Sequence, residues 1–510
     1  GTAFDEYFYT PDVRLGRGMQ GWYNIPKIGI FLYRLVAYPI EESTPFEVAP
    51  RQFTFDPTGR ELPLFSAGER QQRDLWDSPE EPHLPAPIRC RLLEERPQKL
   101  YADADFSRSL AIFENGALVP VTEIQAANLS DWTRTISGKR FLIDPERGLL
   151  MYVESGAPGE IRVSYHYGFS GNIGAGPYER RQRIRENVNP PVTGGGSALQ
   201  GPLQNSDGMS DYVITIGDNQ TYTPIPSVQN IHGLTLHAAN QKRPVLRLAE
   251  EWTITAAPNV SASLCFDGLF MSGGYSIRVT GDYEEIVISH CTLDPGGAGI
   301  NTTFEKDARG DDLKPTPIVI AGHVHRLVVT SSILGGIITS TNGMVEQLEM
   351  VDSIVQSVQN SRNAIELAKG DATLNRCTIL GRSHFHRLHA SEVIFYGATI
   401  VDNQQDGCLR FSAWVKEEPP PEHILSVLPR KYESVEIEMD TPLFASTRFG
   451  DPNYVQFLQS APKEIYLGAS DGSEMGAFSS LKNPIKERSL LIKYDEYMSA
   501  GLVPLIIYAT

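Results

Sequence analysis

The chain has 510 residues, of which 41% are hydrophobic and 21% charged, and its formal net charge is −17. This length exceeds the usual size of a single hydrophobic core, so two or more domains are expected. The negative charge argues against general binding to nucleic acids or to anionic membranes, because a phosphate surface repels such a chain overall.

The motif GRGMQG at residues 16–21 matches the G-x-G-x-x-G pattern of dinucleotide-binding loops. The residues after it, WYNIPKIGIF, contain Pro26 and resemble a strand, whereas the fingerprint requires a helix there. We therefore interpret the motif as a loop and expect no cofactor. The apolar run IGIFLYRLVAYPI is broken by Arg34 and Pro39, so it predicts no membrane span.

Residues 1–175 are predicted to form one or two small β-sandwich-like modules, which are the candidate docking region. SLAIFENGALVPV is typical of a hairpin with a tight turn at Asn115–Gly116, and RFLIDPERGLLMYV is typical of a second hairpin. GEIRVSYHYGFSG alternates apolar and polar residues like a half-buried strand. Residues 176–210 are predicted to be a linker, because they are rich in Gly, Pro and Ser.

A six-residue pattern recurs within residues 211–415. Its seven copies are IHGLTL, CFDGLF, ISHCTL, VTSSIL, MVDSIV, LNRCTI and FYGATI, which begin at residues 231, 265, 288, 329, 350, 374 and 395. Most intervals are 21 to 24 residues, which predicts a solenoid. The β-branched residues favour strands over helices. We therefore expect a right-handed parallel β-helix, in which each coil stacks on the next.

The fourth position of the pattern is usually small, which predicts a column of residues at a tight inward corner. Cys291 and Cys377 are then small buried hydrophobes rather than redox or metal groups. All five cysteines lack the spacing of a disulfide framework or a zinc ribbon, and a reducing compartment fits this pattern. The complete column is Leu234, Gly268, Cys291, Ser332, Ser353, Cys377 and Ala398.

A polar insertion, residues 294–316, interrupts the repeat and contains Asp311 and Asp312. Polysaccharide hydrolysis uses two carboxylates at a defined separation. The pectin-hydrolase pattern is absent, because NTTF stands where NTD is needed and no matching His-Gly or Arg-Ile-Lys follows. We expect no catalytic site, although a polysaccharide-cleaving enzyme that uses Asp311 and Asp312 remains an open alternative.

Two groups of histidines stand on predicted strands: His323 with His325, and His384 with His386. Alternate residues of a strand share a face, which is how some metal sites are built. The two groups lie on different strands, and no carboxylate has a matching spacing in the sequence. Exposed polar positions of a solenoid explain the histidines equally well, so no metal is expected.

Residues 416–510 are predicted to be a C-terminal loop and a mixed α/β cap. KEEPPPEH, residues 416–423, marks the loop, and the segments 473–484 and 493–502 look helical. The end of a solenoid exposes unpaired strand edges, so a capping role is the simplest interpretation.

Several long stretches together resemble one family, the bacterial β-helical (pectin-lyase-like) phage-tail-related proteins associated with contractile injection systems and phage-tail-like particles. The resemblance covers nearly the whole chain. The stretches are SYHYGFSGNIGAGPYERR (164–181), VITIGDNQTY (213–222), HCTLDPGG (290–297), DGCLRFSAW (406–414), TPLFASTRFGDPNY (441–454) and GASDGSEMGAF (468–478).

The resemblance implies a non-enzymatic baseplate, spike-surround or fibre-like component of such a particle, with no catalytic residues to carry over. The implied partners are baseplate, tube or sheath proteins and further copies of the chain in a symmetric multimer. Assembly in the cytoplasm, with release to the outside as a further step, follows from the same resemblance. A non-catalytic adhesin for a cell-surface glycan is the third alternative.

Overall fold

The computed structural model describes residues 29–68, 80–103, 108–134, 136, 138–181, 189–299, 303–359, 362–416, 428–438, 441–495, 498, 502 and 504–509. The motif at 16–21 and most of the predicted 416–423 loop lie outside the described residues. Strands greatly outnumber helices, which confirms the prediction of a mainly β protein. No helix in the described part of the chain is both long and apolar enough to cross a membrane.

The N-terminal module contains two small sheets. Its strands, together with β1 that precedes them, are β1 (Gly29–Leu32), β2 (Val36–Ser43), β3 (Phe46–Ala49), β4 (Gln52–Thr54), β5 (Ala111–Glu114), β6 (Ala117–Leu118), β7 (Ile124–Ala126), β8 (Phe141–Asp144), β9 (Leu149–Tyr152) and β10 (Ile161–Phe169). One sheet has the order β2-β10-β5-β6 and the other β3-β4-β9-β8-β7. Short helices connect the strands at Glu81–His83, Cys90–Glu95, Pro97–Leu100 and Val121–Glu123.

The two small sheets share one buried core. Val163 of the first sheet belongs to the same buried cluster as Phe141 and Leu150 of the second. Both predicted hairpins are confirmed, because β5 pairs antiparallel with β6 and β8 with β9. Asn115 and Gly116 have φ values of 51° and 79°, the left-handed pair that a two-residue type I′ turn requires.

A 24-stranded sheet follows the module. Its strands are β11 (Tyr212–Ile216), β12 (Thr221–Tyr222), β13 (Val228–Ile231), β14 (Gly233–Ala238), β15 (Val245–Arg247), β16 (Trp252–Ala256), β17 (Ala262–Asp267), β18 (Phe270–Ser272), β19 (Ile277–Thr280), β20 (Asp282–Ser289), β21 (Thr292–Leu293), β22 (Ile318–Ile320), β23 (His323–Thr330), β24 (Ile333–Leu334), β25 (Ile337–Thr339), β26 (Met344–Gln356), β27 (Ile365–Leu380), β28 (Ser383–Ser391), β29 (Ile394–Tyr396), β30 (Thr399–Val401), β31 (Gly407–Arg410), β32 (Ala413–Lys416), β33 (Arg430–Tyr432) and β34 (Val435–Glu438).

The strands of this sheet pair in parallel with the third strand that follows: β11 with β14, β12 with β15, and β13 with β16. The sheet therefore curls on itself as three parallel series, which begin with β11, β12 and β13 respectively. We call one strand from each series, taken consecutively, a rung. The long strands β26, β27 and β28 run through a corner without a break and contribute to more than one series.

Inward side chains of successive rungs stack into one continuous core. Parallel pairing at matched register places apolar residues directly above one another, as in the buried column Ile288, Val329, Met350, Leu374 and Ala390. One buried cluster runs from Leu199 to Leu428. Because each side chain is covered by its neighbours above and below, the sheet needs no separate layer to bury this face.

The corner between the first and second series explains the small residues of the repeat. In the seven rungs from β20 onward a residue with left-handed backbone makes the turn, with φ between 44° and 59° at His290, Ser331, Asp352, Arg376, Glu392, Phe411 and Glu433. The residue after it points inward, and the backbone N–H of Cys291 donates to the Ser332 hydroxyl one rung further on. The Ser332 N–H donates in the same way to Ser353.

The predicted column of small residues is correct for Cys291, Ser332, Ser353 and Cys377, all of which are fully buried. It is wrong for Leu234, Gly268 and Ala398. Leu234 lies within β14 of the first series, Gly268 falls one residue earlier in its rung, and Ala398 precedes β30 of the third series. The true column continues instead through Val393, Ser412 and Ser434, which the spacing of the pattern missed.

The regions that flank the large sheet in sequence pack against different parts of it. Residues 189–210 include the short helices Ser197–Leu199 and Gln200–Gln204, which bury Leu199 and Leu203 in the same cluster as the first strands. The C-terminal region contains Lys463–Tyr466, Ser479–Leu481, Asn483–Asp495 and β35 (Leu505–Tyr508), which pairs in parallel with β1. The helix expected at 473–484 is wrong for residues 473–478, which form turns against the sheet.

Candidate functional site: an open ridge and a covered face

The corner between the third and first series carries a row of acidic and histidine side chains, which we call the acid–histidine ridge. It extends over successive rungs and remains open to solvent. Its members come from strands that start or end at this corner, so parallel pairing stacks them along the sheet. They are Asp282, His323, His325, Glu346, Glu366, Asp371, His384, His386, His389, Asp402 and Asp406. Arg387 pairs with Asp371 and Asp406 within this row.

Four residues form the first group of the ridge. Asp282 begins β20 and faces His323, which begins β23 on the next rung. Its Oδ1 lies 3.6 Å from His323 Nδ1 and 3.5 Å from His325 Nε2. Glu346, from β26 one rung further, contacts the other nitrogen of each ring, at 2.9 Å for His323 Nε2 and 3.2 Å for His325 Nδ1. The two imidazoles therefore lie between two carboxylates.

The charges of this group act on one another. The hydrogen bond to Glu346 raises the pKa of His325, and the same bond, with that from His323, lowers the pKa of Glu346. Beside the group, Arg326 bridges Glu285 and Glu349 on the two neighbouring rungs. Because Arg326 is paired with these two glutamates, it does not offset the negative charge of Asp282 and Glu346, and the surroundings of the histidines are acidic.

The second group is built around His384 on β28. Its Nδ1 lies 2.8 Å from Glu366 and its Nε2 lies 2.9 Å from Asp402, so each ring nitrogen faces a carboxylate. Partial burial opposes a charge on this ring, but Asp402 and Glu366 outweigh that effect and raise its pKa. His386 Nδ1 is 3.8 Å from the second oxygen of Asp402. Both nitrogens of His384 are therefore already engaged.

The expectation that no carboxylate accompanies the histidines is wrong. Asp282 and Glu346 are 41 and 23 residues from His323 in sequence, yet each lies on a neighbouring rung. Stacking in a parallel sheet brings together residues one repeat apart, and the long insertion hides the spacing of Asp282. The structure does not bring His323 and His384 into one group, because the rungs that carry Glu346 and Glu366 separate them.

Asp311 and Asp312 lie away from the ridge, on an exposed turn of the insertion. Asp312 forms an ion pair with Lys306 at 2.5 Å, and its pKa is lowered by this bond. The Asp311 backbone N–H donates to the Asp307 side chain, which closes the turn. A general acid needs a raised pKa, so these surroundings favour a structural role for the pair.

The outer face of the second series is covered rather than open. The end of the N-terminal module and residues 441–481 bury apolar side chains against it. Phe169 of the module packs against Phe478 of the C-terminal segment, with ring centroids 5.9 Å apart. The apolar residues that this face contributes are Val245, Phe270, Ile333, Ile354, Leu380, Ile394, Ala413, Val415 and Ile437.

A buried ion pair fixes the module to the insertion. Both terminal nitrogens of Arg60 donate to Asp294, each at 2.7 Å, and the two side chains are only 1% and 4% exposed. The guanidinium also lies 5.0 Å from the ring centroid of Phe449, from the C-terminal segment. Further along the insertion, Glu305 accepts two bonds from Arg448. The insertion is thus held from both sides.

Two short segments dock on the covered face in the same way. The N–H of Gly174 donates to the carbonyl of Ser331 at 2.8 Å, and the N–H of Ala175 to the Thr292 hydroxyl at 2.9 Å. A Cβ at position 174 would lie 2.6 Å from that hydroxyl. Only glycine allows this approach, because a real Cβ needs more than 3 Å.

The C-terminal segment repeats this arrangement several rungs away. Gly476 donates to the carbonyl of Glu392 at 2.8 Å, and Ala477 to the Thr378 hydroxyl at 3.0 Å. A Cβ at position 476 would lie 2.7 Å from the Thr378 hydroxyl and 2.8 Å from Ile394. The Gly-Ala pairs of NIGAG and EMGAF are therefore two equivalent docking contacts, one from each flanking region.

A small cavity remains between the module, the sheet and the C-terminal segment, lined by Asp56, Arg60, Tyr165, Arg243 and Phe449 among others. Its volume of about 60 Å³ accommodates about four water molecules. Ligand pockets are typically about 300 Å³ or larger. The cavity is therefore smaller than a typical ligand pocket.

No family model matches the chain, and no match was found among curated proteins or solved structures. Function must therefore be inferred from the arrangement of the residues themselves.

Proposed function

We propose that the curled sheet is a right-handed parallel β-helix and that the protein is a non-enzymatic structural component of a phage-tail-like contractile injection particle. A stack of parallel rungs with one continuous core makes a stiff rod. Such a rod suits a baseplate, spike-surround or fibre-like part, which has to keep its shape under mechanical load. The proposed partners are baseplate, tube or sheath proteins and further copies of the chain.

The observation that carries this proposal is the covered face. Most of the stretches on which the family resemblance rests contribute to it: 164–181 supplies Gly174, 290–297 supplies Asp294, 441–454 supplies Phe449, and 468–478 supplies Gly476. These residues hold three parts of the chain together, and such mutual fixing supports a part that keeps a rigid shape.

The test is the isolation of particles from the source cells. Intact particles are sedimented, washed at high salt to remove weakly bound proteins, and quantified by mass spectrometry. The proposal predicts that the protein sediments with sheath and tube proteins in a fixed ratio across preparations. It is contradicted when the protein stays in the supernatant at every salt concentration.

An enzyme assay distinguishes this proposal from the main alternative, a polysaccharide-cleaving enzyme. The full-length protein is incubated with a panel of acidic and neutral polysaccharides, and the variant D311N/D312N serves as the matched control. The structural proposal predicts no depolymerisation by either protein. Cleavage that the variant loses would establish the tailspike-like enzyme instead, and saturable binding without cleavage would establish the adhesin.

A further inference from the structure

The first group of the ridge has an arrangement that charge pairing alone does not require. One nitrogen of each imidazole faces the same oxygen of Asp282, and the other nitrogen of each faces Glu346. The ring centroids of His323 and His325 are only 4.4 Å apart. One nitrogen from each ring and one carboxylate oxygen thus converge within 4.8 Å of one another.

We propose that Asp282, His323 and His325 form a binding site for one divalent transition-metal ion, with zinc as the reference ion. Tetrahedral ligands at about 2.0–2.1 Å from zinc lie about 3.3 Å from one another. The distances of 3.5 Å and 3.6 Å from Asp282 Oδ1 to the two nitrogens exceed this separation by a few tenths of an ångström, and the three ligand atoms all lie within 4.8 Å of one another. The ligating atoms are Asp282 Oδ1, His323 Nδ1 and His325 Nε2.

Glu346 supplies the outer support that such sites need. A metal-bound histidine usually donates its other ring N–H to a carboxylate, which fixes the tautomer and the orientation of the ring. Glu346 accepts from both rings at once, through Oε1 for His323 and Oε2 for His325. In a neutral imidazole, a proton on the nitrogen that faces Glu346 leaves the inward-facing nitrogen with a lone pair that can bind a cation.

The ligand set selects the class of metal. Two imidazoles and one carboxylate suit zinc and related transition metals, whereas calcium and magnesium prefer sites made of oxygen atoms. Three protein ligands leave a fourth position for water or for a group from another molecule. The ligands are about half exposed, so that position is open to solvent. The site does not depend on the proposed role in a particle.

His384 provides a contrast within the same ridge. Its two nitrogens face Glu366 and Asp402 separately, and His386 contacts the other oxygen of Asp402 at 3.8 Å. Two nitrogens and one oxygen do not converge on a common point there. The variant His384→Gln is therefore a control for non-specific binding of metal by surface histidines.

The experiment is calorimetric titration of the metal-free full-length protein with Zn²⁺, followed by Co²⁺ loading for visible spectroscopy. The wild-type protein is expected to bind one Zn²⁺ with high affinity, to show the ligand-field absorption of a four-coordinate Co²⁺, and to bind Ca²⁺ far more weakly. The double variant H323Q/H325Q should lose this site. The variant E346Q should bind about 10- to 100-fold more weakly, and H384Q should match the wild-type protein.

The proposal is overturned when the wild-type protein does not bind Zn²⁺, or when H323Q/H325Q binds it with unchanged affinity. It is equally overturned when H384Q removes the binding and H323Q/H325Q does not. Circular dichroism of every variant excludes misfolding as the cause of a loss. All of these side chains are at the surface, so the variants are expected to fold.

Discussion

Two sides of one sheet differ in their exposure to solvent in this protein. The outer face of the second series is buried under the module and the C-terminal segment, whereas the corner between the third and first series is open. Their backbones pair in the same way, rung after rung. The difference lies in the outward side chains, which are Phe270, Ile333 and Ile394 on the covered face, and acids and histidines on the ridge.

The covered face holds parts of the chain together, whereas the ridge stays in contact with solvent. Apolar outward residues recruit neighbouring parts of the chain, because their burial is favourable in proportion to the area removed from water. Charged outward residues remain solvated and pair with one another along the ridge. Changes on the covered face should therefore be costly to stability, and changes on the ridge should be nearly neutral.

The largest effect is expected from Arg60→Met. This change leaves the buried Asp294 carboxylate without its ion-pair partner, with the Gly296 N–H still donating to it, and breaking such a buried pair typically costs about 3–5 kcal/mol. The matched control is Arg326→Met on the open side, where the exposed pairs with Glu285 and Glu349 contribute about 1 kcal/mol or less. Chemical denaturation of both variants measures the difference. Equal losses would remove the distinction between the two sides.

A pH dependence is expected from Glu474 in the C-terminal segment. Burial raises its pKa to about 8, and the bond from Asn483 offsets this only in part. Between its ordinary pKa and about 8 the folded state keeps a proton that the unfolded state releases, so stability falls as pH rises through this window. The variant Glu474→Gln should remove this loss and gain a few kcal/mol at high pH, since each unit is about 1.4 kcal/mol.

The check on this prediction is thermal unfolding of Glu474→Gln and the parent protein at about pH 5 and pH 9. The gain should be small at the lower pH and large at the higher one. Glu464, which is exposed on the same segment, provides the control variant Glu464→Gln. A gain that is independent of pH would contradict the buried, proton-binding state of Glu474.

A smaller loss, about 1–3 kcal/mol, is expected from Gly476→Ala, because the new Cβ meets Thr378 and Ile394 in a packed contact. Gly472, four residues earlier, also has a positive φ but has nothing within 4 Å of a new Cβ. The variant Gly472→Ala should therefore cost only about 1 kcal/mol, from backbone strain alone. Denaturant midpoints of the two variants compare these costs, and equal midpoints would count against tight docking at Gly476.

The smallest effect is expected from His384→Gln on the ridge. The pKa of His384 is raised in the folded state, so its contribution to stability is present below the ordinary histidine pKa and disappears as pH rises through the folded value. The variant should be less stable than the parent by up to about 1 kcal/mol near pH 5.5 and equal to it near pH 9. Nuclear magnetic resonance titration of His384 measures the pKa directly, and a value below that of free histidine would contradict the two ion pairs.

The sequence predicted the parts of this structure that repeat. The mainly β class, both hairpins and four members of the small-residue corner follow from local patterns such as Asn115–Gly116 and the copies around Cys291. The contacts between residues of neighbouring rungs were harder to predict. Asp282 and Glu346 join His323 only through the register of neighbouring rungs, and the insertion of residues 294–316 shifts that register in the sequence.

The covered face was also hidden from sequence patterns. Arg60 and Asp294 are 234 residues apart, and neither is an unusual residue in its own segment. The Gly-Ala pairs at 174–175 and 476–477 look like loop residues, and the second lies in a segment that resembles a helix. Their role depends on the shape of the surface that they meet, which no local pattern contains.

The most direct test of the covered face is hydrogen–deuterium exchange of the full-length protein, read for peptides that contain Gly174, Ala175, Gly476 and Ala477. Their N–H groups donate to the sheet, so they should exchange as slowly as the strands β24 and β27. The ridge turn at residues 403–406 should exchange fast. Equally fast exchange of the docking peptides would show that this face is open, and would contradict the division between a covered and an open side.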